Sequence, residues 1–311
     1  MRVAVLGAGG VGGYFGGRLA EAGHDVAFLA RGAHLQAMRA SGLRVSSIAG
    51  DFALPAVLAT DDSREIGAVD LVLVCVKSWQ VAEVAPSIPP LLGPGTAVLP
   101  LENGVEAADE LAGLLGRERV VAGVARIISF LDAPGHVKHA AHAPHILAGE
   151  LDRSRSARVD AIVDAFQVRG VRCERADDIR AELWIKFVFV AGWGAVASLA
   201  GVPCGPLREV PATRQLVVDA MREIAAVAAA GGIELPGDPV GQSMAVLDSL
   251  LPHATVSLQR DLAAGVPSEL EAFSGAVVRQ GAAAGVPTPI HRVAYEAMLP
   301  RELRARGQLA F

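Results

Sequence analysis

Two stretches hold residues whose types and spacing could do chemistry: "GAGGVG" at residues 7 to 12, and "ELWIKFVFVAG" at 182 to 192. The glycine stretch follows the Val-rich run "RVAVLG" and opens "GYFGGRLAEAG", where apolar side chains recur at helical spacing up to Gly23, a glycine suited to a helix C-cap. "DVAFLAR" then reads as a second strand. Strand, glycine turn, helix and strand in so short a span form the unit in which a GxGxxG pattern has physical meaning. Gly7 allows the tight turn, Gly9 lets backbone approach a pyrophosphate, and Gly12 lets the helix pack closely on the strand. Together with Ala8, Gly10 and Val11 they would present a helix N-terminus, with its free N–H groups, to a dinucleotide.

The end of the second strand bears on which nicotinamide cofactor is bound. An NAD site usually carries a carboxylate there for the ribose hydroxyls, whereas this chain reads Ala30-Arg31-Gly32. A guanidinium suits a 2′-phosphate through paired, charge-assisted hydrogen bonds. NADP(H) is therefore the expected cofactor, the plainer alternative being a solvated loop arginine. Two further apolar runs, "VDLVLVCVK" and "GTAVLPLENG", close on Lys77 and Asn103. In open α/β sheets ligands sit beyond the carboxyl ends of strands, so Lys77 could contact a phosphate or ribose, and Asn103 could bridge nicotinamide and substrate. Their plain readings are a solvated strand-end lysine and an Asn-Gly turn residue.

Lys186 interrupts an otherwise apolar helical run. An ammonium there must snorkel to water or meet a partner, because burying an unpaired charge is costly.

These residues must be positioned by a chain of 311 residues, long enough for two domains. Half the residues are hydrophobic and 20% are charged, a composition typical of globular proteins. A net charge of −5 and a pI near 5.9 give no reason to expect nucleic acid or an anionic membrane surface as partner. Cys75, Cys173 and Cys204 build no disulfide framework or metal spacing and suit a reducing cytoplasm. The uncharged stretch from Phe187 to Val202 is short against the roughly 20 residues a bilayer span needs, so a buried core helix is expected instead.

The first half alternates strands and helices and predicts an α/β fold with a Rossmann-type parallel sheet over residues 1–172. From Val120 to Leu147, short strands broken by "APGH" and "HAP" suggest an antiparallel extension. His136, His139, His142 and His145 recur every three residues, but prolines and a glycine break any single helix, and no metal is expected. Residues 173–311 read as an all-helical domain. "DDIRAELWIKFVFVAGWGAVASLAG" is one long helix, "LREVPATRQLVVDAMREIAAVAAAGG" a second, and Ser268 with Glu271 suggests a capping box that places Glu269 in the first turn of the last major helix. Ser257 reads as a helix-start or helix-surface serine.

"GAGGVGGYFG", Arg31, "CVKSWQ", "ENGV", the Trp-Ile-Lys of "ELWIKF" and "SLQRDLAAGVPSELEAFSG" together resemble the ketopantoate reductases, or 2-dehydropantoate 2-reductases, in the same order over nearly the whole chain. The resemblance implies a Rossmann domain, a helical domain, and NADPH-dependent reduction of a small 2-oxo acid in the cleft between them. It places the general acid on Lys186, the cleft asparagine on Asn103, the substrate-contacting serine on Ser257 and the cofactor- and substrate-side glutamate on Glu269. Hydride addition builds charge on the keto oxygen, which a nearby ammonium relieves. Burial lowers a lysine pKa, and Glu269 would oppose that lowering and fix the ammonium's position.

One departure stands out. Family members usually carry Asn four residues after the lysine and often another at eight, where this chain has Val190 and Gly194; the same helix face gains Trp193. The leading expectation is reduction of ketopantoate. The alternatives are a relative acting on a more apolar 2-oxo acid or a related carbonyl or imine compound, and a non-catalytic NADPH sensor, against which the joint presence of Lys186, Ser257 and Glu269 argues. The helical half could carry a homodimer surface.

Overall fold

Apolar runs of Val, Leu and Ala, buried on both faces, are what parallel strands require, and they form the first of two compact units. The computed structural model describes residues 1–310. Unit 1 comprises Met1–Glu102 and Glu106–Ile179; unit 2 comprises Asn103–Val105 and Arg180–Phe311.

In chain order, unit 1 contains β1 (Arg2–Leu6), α1 (Gly10–Glu21), β2 (Asp25–Leu29), α2 (Gly32–Ser41), β3 (Leu43–Ser47), β4 (Phe52–Leu54), β5 (Leu58–Thr60), β6 (Val69–Val74), α3 (Val81–Val84), β7 (Leu92–Pro100), α4 (Ala107–Leu115), β8 (Ala122–Ala133), β9 (His136–Gly149), α5 (Ala157–Ala165) and β10 (Arg172–Arg175). A parallel sheet runs β5-β2-β1-β6-β7. This is the Rossmann arrangement, with β1 at the centre and α1 leaving its carboxyl end. Tyr14 and Phe15 of α1 are fully buried and meet edge-on, and Phe15 also packs edge-on against Phe166.

The second sheet differs from the expected antiparallel extension. β8 and β9 do pair antiparallel, as two long strands with register shifts, and β9 runs straight through the "HAP" segment. β9 also pairs in parallel with β3 and with β10, and β4 adds antiparallel to β3. That pairing corrects the domain boundary expected at 172/173. Arg172–Arg175 is a strand of unit 1, held by β9 from His145 to Ala148, and the unit continues to Ile179.

Unit 2 carries α6 (Ile179–Ala200), α7 (Cys204–Glu209), α8 (Pro211–Ala230), α9 (Pro239–Ser249), α10 (Ser257–Ala264), α11 (Ala276–Ala284) and α12 (Pro289–Ala305). By length and composition α6 could cross a membrane, but 61% of its most apolar window is buried inside the protein, as in a core helix. Its Gly192 faces Met221 of α8, and its Phe187 meets Phe273 edge-on at 6.1 Å. The long helix expected from "LREVPATRQ" is two helices, because Val210 turns extended and Pro211 starts α8 at a position where a missing N–H costs nothing. The expected capping box does not form. Glu302 of α12 takes the Ser268 N–H, the Ser268 hydroxyl accepts from Leu270 instead, and Glu271 pairs with Arg279 and Tyr295. Residues Glu271–Gly275 form a single π turn that leads into α11, and α12 lies beyond the helix expected to be last.

Each unit also buries a free thiol. Cys173 on β10 is pushed up to about 12, by burial first and by neighbouring Glu174 second; Cys204, at the start of α7, is raised by burial.

His291 of α12 is fully buried between the Ser274 hydroxyl and the Ala220 carbonyl, and burial lowers its pKa to about 4. The unfolded chain takes up a proton near pH 6.5 while the folded chain waits until about pH 4, so stability falls as pH drops through that window. The loss reaches at most ~3 kcal/mol at one pKa unit per ~1.4 kcal/mol. Glu223, which accepts the Ile290 and His291 N–H groups, is raised by burial and has the opposite sign, so the comparison that isolates His291 is with His291→Gln. Urea unfolding between pH 4 and 7 should show a shallower stability slope for the variant; parallel slopes would show that His291 does not govern this window.

Candidate active site

Unit 1 holds the glycine turn. Gly7 turns the chain at φ +92°, where a Cβ would lie 2.8 Å from the Cys75 carbonyl oxygen. A Cβ on Gly12 would come to 2.1 Å from the Gly7 carbonyl oxygen, which explains glycine at the third fingerprint position. Gly9 is different. It is the N-cap of α1, has ordinary backbone angles, and a Cβ there would meet nothing within 4 Å. Neither a capping side chain nor an acidic residue occupies the first turn of α1. Ala8 is buried; Gly10 lies under the Ser129 carbonyl of β8; Val11 is half-buried. An open glycine at an uncapped helix N-terminus fits a pyrophosphate, by hydrogen bonding and by dipole.

Arg31 stands two residues beyond β2 as the N-cap of α2, exposed and ion-paired with Glu83 at 2.6 Å. An exposed pair of this kind contributes little, so it could yield its guanidinium to a phosphate. Lys77 lies three residues past β6, half-buried, its N–H accepted by the Gln80 side chain.

Unit 2 holds the remaining candidates. The Asn103 amide donates to the Glu269 carboxylate at 3.1 Å, and Glu269 is only 3% exposed. Gly104, at φ +101°, confirms the Asn-Gly turn, so Asn103 is both a turn residue and a ligand of Glu269. Lys186 is half-buried on α6, one residue before Phe187, whose ring packs on Phe273 of the π turn that follows Glu269. Gly194 of α6 faces Val256 and Phe273, at 3.5 and 4.0 Å from a built Cβ. α6 is thereby packed against the elements that carry both Ser257 and Glu269. Ser257 is the half-buried first residue of α10, with Val256 at the N-cap. Gly194 itself has no side chain, so this position offers a substrate no polar side-chain contact.

Sequence reasoning missed what holds Glu269 in place. Glu302, 3% exposed, accepts the Ser268 N–H with both oxygens at 3.1 Å and the Ser268 hydroxyl at 2.5 Å. Arg306 neutralises it at 2.7 Å and also donates to the Ser268 carbonyl. The available signal was the Glu-Arg pair at i,i+4 in the last helix. The histidines disperse along β9: His136 meets Ser46, His139 meets Ser47, and His145 meets Glu174. Among the described residues no cluster of three or more His, Cys, Asp or Glu could hold a metal ion.

Comparison with known proteins adds to this geometry. The family described as "Ketopantoate reductase PanE/ApbA" matches residues 3–153, and its C-terminal counterpart matches residues 178–302. The uncharacterized oxidoreductase YkpB of Bacillus subtilis (strain 168) is 28% identical, with 95% of this chain and 97% of that protein covered. A 2-dehydropantoate 2-reductase of Mesorhizobium japonicum is 30% identical over 93% of this chain and 94% of its own. The crystal structure of a PanE/ApbA family ketopantoate reductase from Ralstonia eutropha JMP134 superposes with a TM-score of 0.90 at 34% identity, covering 98% of this chain and all of that one.

The glycine geometry separates fold from binding. Gly9→Ala should leave the thermal midpoint within about 1 °C of wild type, since the added methyl meets open space, yet weaken nicotinamide dinucleotide binding by tenfold or more by crowding the phosphate. Cofactor fluorescence titration beside calorimetry reads both. Unchanged affinity would remove Gly9 from the phosphate site.

Proposed function

The chain belongs to the ketopantoate reductase family, and on that premise we propose that it reduces 2-dehydropantoate to pantoate with NADPH, Lys186 acting as general acid. The observation that carries this reading is the buried Glu269 carboxylate, bonded to Asn103 in the same unit as Lys186. A reductase of this kind needs a proton donor and acidic and amide groups to orient the substrate, and all three are present.

The nicotinamide, when bound, supplies a hydride to the keto carbon. The chain's own residues do the rest. As the carbonyl π bond breaks, the oxygen gains negative charge and Lys186 Nζ donates a proton to it, leaving a hydroxyl and a neutral amine that regains its proton from water. On this reading Glu269 faces the cofactor and substrate side of the site. The Asn103 amide, by occupying one Glu269 oxygen, restrains the carboxylate's rotation; a hydrogen bond to a charged group contributes about 1.5–3 kcal/mol. Ser257, the half-buried first residue of α10, carries a hydroxyl able to accept from or donate to the substrate.

Arg31 supports NADPH over NADH, since no carboxylate follows β2 and the Glu83 pair is exposed. We place the enzyme in the cytoplasm, the compartment that suits three unpaired thiols. A second reading, a more apolar 2-oxo acid as substrate, is favoured by Val190 and Gly194, which offer no polar side chain.

Lys186→Ala should lower kcat by at least a hundredfold while leaving NADPH affinity within about threefold, as seen by 340 nm turnover beside equilibrium titration. Comparable losses in both would remove Lys186 as proton donor. Arg31→Ala should weaken NADPH about ten- to a hundredfold with NADH unaffected, and Glu83→Gln should tighten NADPH by releasing Arg31. Equal effects of Arg31→Ala on the two cofactors would place the 2′-phosphate elsewhere.

A further inference from the structure

His34, the third residue of α2, is half-buried and bonds through both ring nitrogens to the backbone of unit 1. Its Nδ1 accepts the Gly135 N–H of the β8–β9 turn at 2.9 Å, and its Nε2 lies 2.8 Å from the Ala8 carbonyl oxygen of the glycine turn. A backbone N–H can only donate and a carbonyl can only accept. Neutral imidazole has one acceptor and one donor nitrogen, so the two contacts together place the ring proton on Nε2, donating to Ala8. Burial, opposed in part by the Ala8 bond, lowers the His34 pKa, which keeps the ring neutral at neutral pH. Gly135 is itself held, its carbonyl accepting the Arg44 N–H of β3 at 2.9 Å. The imidazole is thus a strut between a sheet-anchored turn and the glycine turn.

The direction of the Ala8 carbonyl matters because of what shares its peptide plane. The α1 ladder starts one residue later, where the Gly9 carbonyl accepts the Gly13 N–H at 2.7 Å, so that ladder does not orient the Ala8 carbonyl. No peptide bond among the described residues is cis, and in a trans peptide the C=O and the N–H lie on opposite edges of one plane. Holding the Ala8 oxygen toward His34 therefore turns the Gly9 N–H the other way. Gly9 is the fingerprint glycine with open space beside it, at the uncapped N-terminus of α1.

We propose that His34 is a positioning residue for dinucleotide binding: by gripping the Ala8 carbonyl it sets the Ala8–Gly9 peptide plane so that the Gly9 N–H donates to the cofactor pyrophosphate. The inference rests on the cofactor half of the proposed function and not on the substrate. A donor aimed before its ligand arrives binds without a reorientation cost. α2 also carries Arg31 at its N-cap. An effect of His34 that ran only through a displaced α2 would therefore fall on NADPH and spare NADH, whereas the pyrophosphate is common to both cofactors.

The test titrates NADPH and NADH against wild type, His34→Gln and His34→Asn by cofactor fluorescence. Gln sets its amide nitrogen where the imidazole Nε2 lies and can still donate to Ala8; Asn sets its amide where Nδ1 lies and can serve only Gly135. His34→Asn should weaken both cofactors about five- to tenfold, and His34→Gln should stay within about twofold of wild type. Equal losses in the two variants, no loss in His34→Asn, or a loss confined to NADPH overturns the proposal. A second readout needs no variant that folds poorly. In cofactor-free wild type labelled with [¹⁵N]histidine at pH 7.5, the His34 ring shifts should report the neutral tautomer protonated on Nε2; a proton on Nδ1, or a charged ring, overturns the proposal. The expected binding pattern in a protein that reduces no 2-oxo acid upholds the strut and removes the reductase reading instead.

Discussion

The helical unit is closed by one buried carboxylate. Glu302, near the end of the chain, holds the backbone and hydroxyl of Ser268; Ser268 fixes the start of the turn that carries Glu269; and Glu269 receives the amide of Asn103. A carboxylate taken out of water is costly unless its lone pairs are met, and here three Ser268 contacts and Arg306 meet them. The arrangement has a directional logic. Removing Arg306 would leave a buried charge uncompensated, whereas removing Glu302 would free the turn that carries Glu269. Stability and the placement of Glu269 are thus set by the same contact.

Unit 1 solves a different problem, how to bring backbone rather than side chains to a ligand. Gly7 and Gly12 are glycines because other backbone occupies the space a Cβ would need, while Gly9 faces open space. The first two are demanded by packing; no packing demand falls on the third. Two of the three fingerprint glycines thus answer to packing, and Gly9 does not.

Much of this was legible in the sequence where burial leaves a continuous apolar trace. β1, β6 and β7 and the glycine turn were read directly, because strands covered on both faces have no polar alternation to confuse them. β3, β4 and β10 were lost for the converse reason: they are short and half-exposed, and β10 reads Arg-Cys-Glu-Arg. The capping box at Ser268 failed because a residue 34 positions away outcompeted the local partner. Local patterns state what a segment prefers, and only tertiary structure decides between that preference and a distant carboxylate. The same holds for Asn103 and Glu269, 166 residues apart; no periodicity joins them, and the family resemblance alone placed both at one site.

Cys173 and Cys204 give the two units a property that the chemistry does not use. Both thiols are buried, and their pKa values are raised by that burial, so at neutral pH almost none of either is thiolate, the form that reacts. Oxidants and alkylating reagents therefore reach them only through structural opening. One sits on the strand at the edge of the second sheet and the other at the start of α7. Their modification rates would record, unit by unit, how often the Rossmann half and the helical half each come apart.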